Sequence, residues 1–431
     1  MGTGARHPRR AVRAVSRVPL SRRSVLRGAA AVPAAGLAAQ SALAQAVVPP
    51  TSITLPARSA FQQTDLAYLD NGSQHPVSLG ARAAIDRYLA KRSLDPAAQD
   101  FELDEDGLLA KFARLINADP GEVCFVQSTT AGEQAVIRAL DLPASGGHVV
   151  SDTLHFFGSL PLYEDLAQRG VEVSWVRAVD GRIRLEDMRA ALRKGTRLVA
   201  LSLVSTINGF EHDLKAVCDL AHAHGALVYA DVIHAVGCVP FDVKASGVDF
   251  AACASYKWLM GDFGLGFLYV RKDRLAGLKR QNWGYYGMSA FTSHVHPLDP
   301  PGESVADYAF SEDARGAFAI GTHSHTVIAQ LHHSLDWIAG IGTAAIQAHA
   351  QGLLAHLRDE LPRRGYRLLT PPESRAPLLT AQLRDARKVL AEPMKAAGVR
   401  ITLGANRFRL TPSVQNDHGD IDRFLRALPR A

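Results

Sequence analysis

The chain has 431 residues, 47% hydrophobic and 21% charged, so it can bury a core of multidomain size and is not disordered, collagenous or a coiled coil. Its four cysteines, Cys124, Cys218, Cys238 and Cys253, contain no CxxC pair, which excludes a disulfide scaffold and a zinc ribbon. The net charge of +6 comes from the N-terminus: residues 1–44 carry eight arginines and no lysine or acid, and without them the sum is −2, so the basic balance gives no reason to expect a nucleic-acid partner.

Taken in chain order, the first feature is Ser21-Arg22-Arg23-Ser24-Val25-Leu26-Arg27 ahead of a weakly apolar, Ala-rich stretch over residues 28–43. Ala42-Leu43-Ala44 fits an A-x-A cleavage site. The paired arginines resemble a twin-arginine signal, a route for proteins already folded around a cofactor. The expectation is a signal peptide over 1–44, export by the Tat machinery, and a periplasmic or secreted protein. No later apolar run is long enough to span a bilayer, so no stable membrane anchor is expected.

Residues 45–79 read as an extended lead-in, 80–305 as a large domain, and 306–431 as linking helices with a small C-terminal domain. Within the large domain, residues 196–204 (TRLVALSLV) form an apolar run of strand length. Asp213 then reads as an N-cap, His224 closes the helix, and Gly225 follows it. Residues 226–230, 248–253 and 265–270 are the next strands. Strand, helix and strand at this spacing predict an α/β domain with a mostly parallel sheet buried on both faces. Residues 282–303, rich in Gly, Pro and aromatics, read as a functional or interface loop. Beyond it the pattern predicts helices over 323–340 and 343–363, a strand over 378–383, a helix over 386–397, a strand over 407–410 and a closing helix over 420–428.

The chemistry concentrates between residues 230 and 270. Asp231 ends a buried strand, where open α/β sheets bind ligands, and a carboxylate there needs a partner. Lys257 follows a second apolar strand, among Ser255, Tyr256 and Trp258. Apolar surroundings lower an amine's pKa and make Lys257 a candidate imine-forming nucleophile. A carboxylate that can hold a protonated pyridine nitrogen and a lysine that can join an aldehyde are the two essentials of a pyridoxal 5'-phosphate site.

The order Asp231-x-x-His234, Gly247-Val248-Asp249, Ser255-Tyr256-Lys257-Trp258 and Gly264-x-Gly266-Phe267-Leu268-Tyr269-Val270 resembles the class V aminotransferases, in particular their kynureninase-like and isopenicillin N epimerase-like members. The resemblance implies fold-type I architecture: a large domain with a mostly parallel seven-stranded sheet, a smaller α+β domain, and pyridoxal 5'-phosphate on Lys257 with Asp231 at the ring nitrogen. It assigns Thr129 and Thr130, at a helix start, to the cofactor phosphate; read alone, Thr130 and Glu133 make a capping box. It places His155, or alternatively Phe156, against the pyridine face, and Thr206 (preferred over Asn208) and His234 near the phenolic oxygen. Tyr256 is assigned to the phosphate. Thr322, in Gly321-Thr322, reaches a partner's phosphate in a homodimer. Arg409 binds the substrate carboxylate, while Arg407 falls on the opposite face of the same strand.

Desulfurases and selenocysteine lyases of this group need a nucleophilic cysteine late in the chain, and the last one here is Cys253. Transamination, epimerisation and kynureninase-like cleavage remain open. Exported members resemble enzymes that tailor pyoverdine siderophores, which favours a transaminase or tailoring reaction on an amino acid or peptide-like metabolite. A metal-binding periplasmic protein built on His222/His224, His323/His325 and His332/His333, or a non-catalytic binder of the cofactor, are the readings from other classes; no acid or cysteine stands at ligand spacing beside those histidines.

Overall fold

The structure, a computed structural model, describes residues 53–95 and 103–430. The leader expected over 1–44 lies outside them. Two compact units separate, one being Met288–Ser311 and the other the remaining described residues.

In the larger unit the sheet strands are β1 (Ala67–Tyr68), β2 (Val123–Val126), β3 (His148–Asp152), β4 (Glu172–Val176), β5 (Thr196–Ser202), β6 (Leu227–Asp231), β7 (Phe250–Ala254) and β8 (Gly266–Val270). Seven of them form one sheet in the order β2-β8-β7-β6-β5-β3-β4. All run parallel except β8, which is antiparallel to both its neighbours. The runs of Val, Leu and Ala are continuous because helices cover both faces. The main helices are α1 (Leu79–Leu94), α2 (Glu105–Leu115), α3 (Thr129–Ala139), α4 (Leu160–Gln168), α5 (Leu185–Ala191), α6 (Leu214–Ala223), α7 (His325–Ile341) and α8 (Thr343–Arg363). One core under the sheet includes Phe112 stacked on Phe267, ring centres 3.9 Å apart. A second, on the other face, centres on Tyr163, Tyr229 and Phe250.

The helix after β5 starts as its sequence requires. The Asp213 carboxylate accepts the Ala216 N–H at 3.0 Å, and the chain leaves through Gly225 at φ +74°. The C-terminal part adds strands β11 (Leu379–Gln382), β12 (Val399–Arg400), β13 (Thr402–Leu403) and β14 (Arg407–Leu410), with helices α9 (Ala386–Ala396) and α10 (His418–Ala427). β14 pairs antiparallel with β11 and β13, and β12 pairs parallel with β1. Phe408, Leu410, Ile421 and Phe424 fill its own core.

Two expectations are corrected. The segment read as a loop over 282–303 contains β9 (Met288–Ser293), paired antiparallel with β10 (Ala306–Phe310). Both strands are short and hold no buried residue, so they lack the apolar runs that mark the strands of the main sheet. The capping box of Thr130 with Glu133 does not form: Ser128 is the N-cap, its hydroxyl accepting the Ala131 N–H at 3.2 Å, and Glu133 is buried.

Candidate active site

The site lies at the C-terminal edge of the parallel strands, and Lys257 anchors it. After β7 the chain makes a tight loop. The Ser255 hydroxyl shares its one proton between the Asp262 and Leu265 carbonyls, at 2.8 and 2.7 Å, and the Gly261 N–H returns to the Ser255 carbonyl. Trp258 is the loop's buried anchor, and α7 holds the far end through Gln330 and Ser334 on the Met260 carbonyl. Gly237, at φ +98°, passes so close that a Cβ would lie 2.5 Å from the Trp258 carbonyl oxygen; only glycine fits there.

This loop buries Lys257 and sets its Nζ 3.0 Å from Nε2 of His234. Burial pushes the amine down, Asp231 works against that and Arg409 adds to it, leaving the pKa at about 8. Burial, with the nearby charges of Lys257 and Arg409, pushes His234 well below its ordinary value, so His234 is neutral and accepts from the ammonium. Its Nδ1 is buried with no hydrogen-bond partner among the described residues. Asp231 is 4% exposed. Its carboxylate accepts the Ile233 N–H at 3.0 Å and lies 3.5 Å from the Ser202 hydroxyl. Burial raises its pKa against the pull of the Ile233 N–H, His155 and Lys257.

His155 is tied at both nitrogens, Nδ1 to the Ser202 hydroxyl at 2.9 Å and Nε2 to Glu133 at 3.0 Å. Phe156 instead turns its ring onto Phe157. Arg409 is buried where Arg407 is exposed. The Arg409 guanidinium donates to the Thr206 hydroxyl at 2.6 Å, the Thr206 carbonyl at 3.1 Å and the Ser73 hydroxyl at 2.8 Å, with Asp70 at 3.7 Å. The Thr206 hydroxyl therefore serves Arg409, and the Asn208 amide is spent on the Gly181 carbonyl. Tyr256 stacks on Phe263, and its ring centre lies 5.8 Å from the Lys257 amine.

At the start of α3 the Thr129 hydroxyl accepts the Ala254 N–H at 3.0 Å, fastening the helix to β7. Gly132 permits that approach, since a Cβ there would meet the Ala252 Cβ at 2.8 Å. The half-buried Thr130 makes no side-chain hydrogen bond among the described residues. Thr322 is exposed, between the short helix Ala314–Phe318 and α7, and no hydrogen bond joins it to the cluster. Thus Lys257, His234, Asp231, His155, Thr206 and Arg409 form one electrostatic group, and Thr322 is not brought to it within the chain.

Sequence reading missed Ser202, Ser73 and Asp70, and misplaced Glu133. Ser202 is a lone hydroxyl in an apolar strand, and Glu133 a lone acid ahead of Ala135-Val136-Ile137; either oddity was a usable signal.

The comparisons agree with this geometry. The family model for class V aminotransferases matches residues 88–405. The chain belongs to the class V aminotransferase family. A Bacillus subtilis (strain 168) protein named uncharacterized aminotransferase YcbU is 29% identical over 308 residues, 71% of this chain and 78% of its own. A probable cysteine desulfurase of Methanothermobacter thermautotrophicus is 28% identical over 307 residues, 68% of this chain and 72% of its own. Among solved structures, the Escherichia coli cysteine desulfurase CsdA superposes with a TM-score of 0.74 at 19% identity, over 87% of this chain and 98% of its own. The cystine C-S lyase C-DES does so at 0.72 and 19%, over 84% and 96%. These two show the fold: fold-type I.

Pyridoxal 5'-phosphate is the family's cofactor and fits this donor set. A buried amine with a lowered pKa can join its aldehyde. A buried carboxylate with no ion-pair partner among the described residues can hold its ring nitrogen. The protein is a pyridoxal phosphate-dependent enzyme.

Proposed function

We propose that the protein works on the amino group of an amino acid or peptide-like metabolite, as a transaminase of the tailoring type. The observation that carries this reading is the Lys257 amine, buried and held 3.0 Å from a neutral His234, in one electrostatic group with Asp231 and Arg409. Bound pyridoxal phosphate supplies an electrophilic aldehyde and an electron-withdrawing ring. The chain's residues do the rest. His234 holds the Lys257 Nζ in place. Once neutral, Lys257 can take a proton from the substrate's Cα. Asp231 keeps a proton on the ring nitrogen. Arg409 offers a planar fork to a carboxylate, releasing the Thr206 and Ser73 hydroxyls as it does so.

Cysteine desulfuration, named for several relatives, is disfavoured by the thiols. All four cysteines are buried, and burial pushes every thiol up, Cys218 to about 12. No thiol is placed to attack a substrate sulfur. The proposal includes a homodimer, supported by the exposure of Thr322, and twin-arginine export, supported by Arg22-Arg23, the Ala-rich stretch after them and Ala42-Leu43-Ala44.

The test is to incubate the loaded protein with amino acids and siderophore-type peptides, together with a 2-oxo acid to accept the amino group, in deuterated water and weigh the products. Replacement of an amino group by a keto oxygen supports transamination. Deuterium at Cα with inverted configuration and no keto product means epimerisation, and a shortened side chain means lyase chemistry; either overturns the transaminase reading.

A further inference from the structure

Glu133 takes no part in the reaction proposed above, yet it is 2% exposed and three donors converge on it. Tyr163 donates to Oε1 at 2.6 Å, Ser159 to Oε2 at 2.6 Å, and Nε2 of His155 lies 3.0 Å from Oε1. Neither hydroxyl has another hydrogen-bond acceptor among the described residues. The two hydroxyls, which have no other acceptor, favour the Glu133 anion, and an anion 3.0 Å from Nε2 calls for a hydrogen on that nitrogen.

The other ring nitrogen faces Ser202. The Ser202 oxygen accepts the Phe156 N–H at 3.2 Å, lies 2.9 Å from Nδ1 of His155 and stands 3.5 Å from the Asp231 carboxylate. With its one proton turned toward Asp231, its remaining lone pair takes a hydrogen from Nδ1. We propose that Glu133 is a positioning residue that locks His155 in the doubly protonated form, with both N–H groups committed to the protein. His155 is then a fixed cationic plate and not a proton carrier, and proton transfer in the site falls to Lys257. The role of the plate rests on His155 lying against the cofactor ring; its charge does not.

The groups facing His155 from the packed elements agree. Glu133 comes from α3, Tyr163 from α4, Asp152 from the end of β3, Ser202 from β5 and Asp231 from β6, with Lys257 beyond Asp231. Burial alone would strip the imidazolium of its proton; the charge and hydrogen bond of Glu133, with Asp152 and Asp231, outweigh it and raise the pKa. Burial pushes Glu133 up, and the charge of His155 with the three hydrogen bonds more than offsets it, so its pKa is lowered.

The test uses the full chain with ¹⁵N-labelled histidine, with and without pyridoxal phosphate, and long-range ¹H–¹⁵N correlation, His155 being assigned with His155→Phe. The expected wild-type result is a doubly protonated pattern at both nitrogens at pH 7, where an ordinary imidazole is mostly neutral. Glu133→Gln should cut the ring's proton affinity at least tenfold and introduce a neutral-range inflection into the pH profile of the loaded enzyme. Glu133→Asp should restore part of it. A neutral ring at pH 7 in the wild type, or an unchanged titration in Glu133→Gln, overturns the proposal. Should Glu133→Gln fail to fold, the wild-type titration decides alone. Failure of the cofactor assignment shows separately, as absence of a borohydride-stable adduct on Lys257 while the His155 signal stands.

Discussion

Asp231 and Asp249 are two buried aspartates at opposite ends of the same strand pair. Asp249, fully buried before β7, is saturated. It accepts the Val228 N–H at 2.7 Å, His222 at 2.8 Å and Arg274 at 2.8 Å, and lies 3.2 Å from Arg271. Asp231, at the C-terminal edge of β6, has one backbone N–H and a distant hydroxyl. Burial pushes both carboxylates up. The first has enough fixed donors to serve as a strut. The second has spare acceptor capacity where α/β sheets bind ligands, as a group that must hold something else does.

Neutralising each carboxylate separates these roles. Asp249→Asn leaves two arginines facing an amide and should cost about 3–5 kcal/mol of stability, read by denaturant unfolding, with activity per folded molecule unchanged. Asp231→Asn should lower activity by about 10²–10³-fold, in the range seen for lost electrostatic stabilisation, with little change in unfolding midpoint. If both variants lose mainly stability, the contrast between strut and binding group is wrong. Arg409→Lys keeps the charge and loses the fork. It should raise KM about ten- to a hundredfold while kcat changes less, as steady-state kinetics with a carboxylate substrate will show.

The smallest effect is on pH. An ordinary lysine titrates near 10.4, and burial brings Lys257 to about 8. Below that value the ammonium cannot attack an aldehyde; above it the amine is free. The rate of cofactor capture, followed by the visible band, should rise through pH 8 and level off. A rise continuing to pH 10 would show an unperturbed lysine.

Much of this was legible in the sequence. Buried strands such as residues 196–204 announce themselves by unbroken apolar runs, and Thr343–Arg363 and Arg407–Leu410 fall within the expected bounds. Asp231 and Lys257 stood out because a charge at the end of an apolar strand is rare. What stayed hidden depends on contacts between distant segments. The hairpin over Met288–Ser311 buries no residue of its two short strands, so no apolar run set it apart from a loop. Glu133 had the spacing of a cap, and only the approach of Ser159, Tyr163 and His155 reveals its partners. The Thr206 hydroxyl, expected near the cofactor's phenolic oxygen, also accepts from Arg409, whose strand lies 203 positions later, a contact that no local spacing announces.

The central claim is that Lys257 is the residue joined to pyridoxal phosphate. Borohydride reduction of the loaded protein, followed by peptide mass mapping, tests it directly. The account predicts one stable phosphopyridoxyl label, on the peptide containing Lys257. A label on another lysine, or none on protein that binds the cofactor, would contradict it.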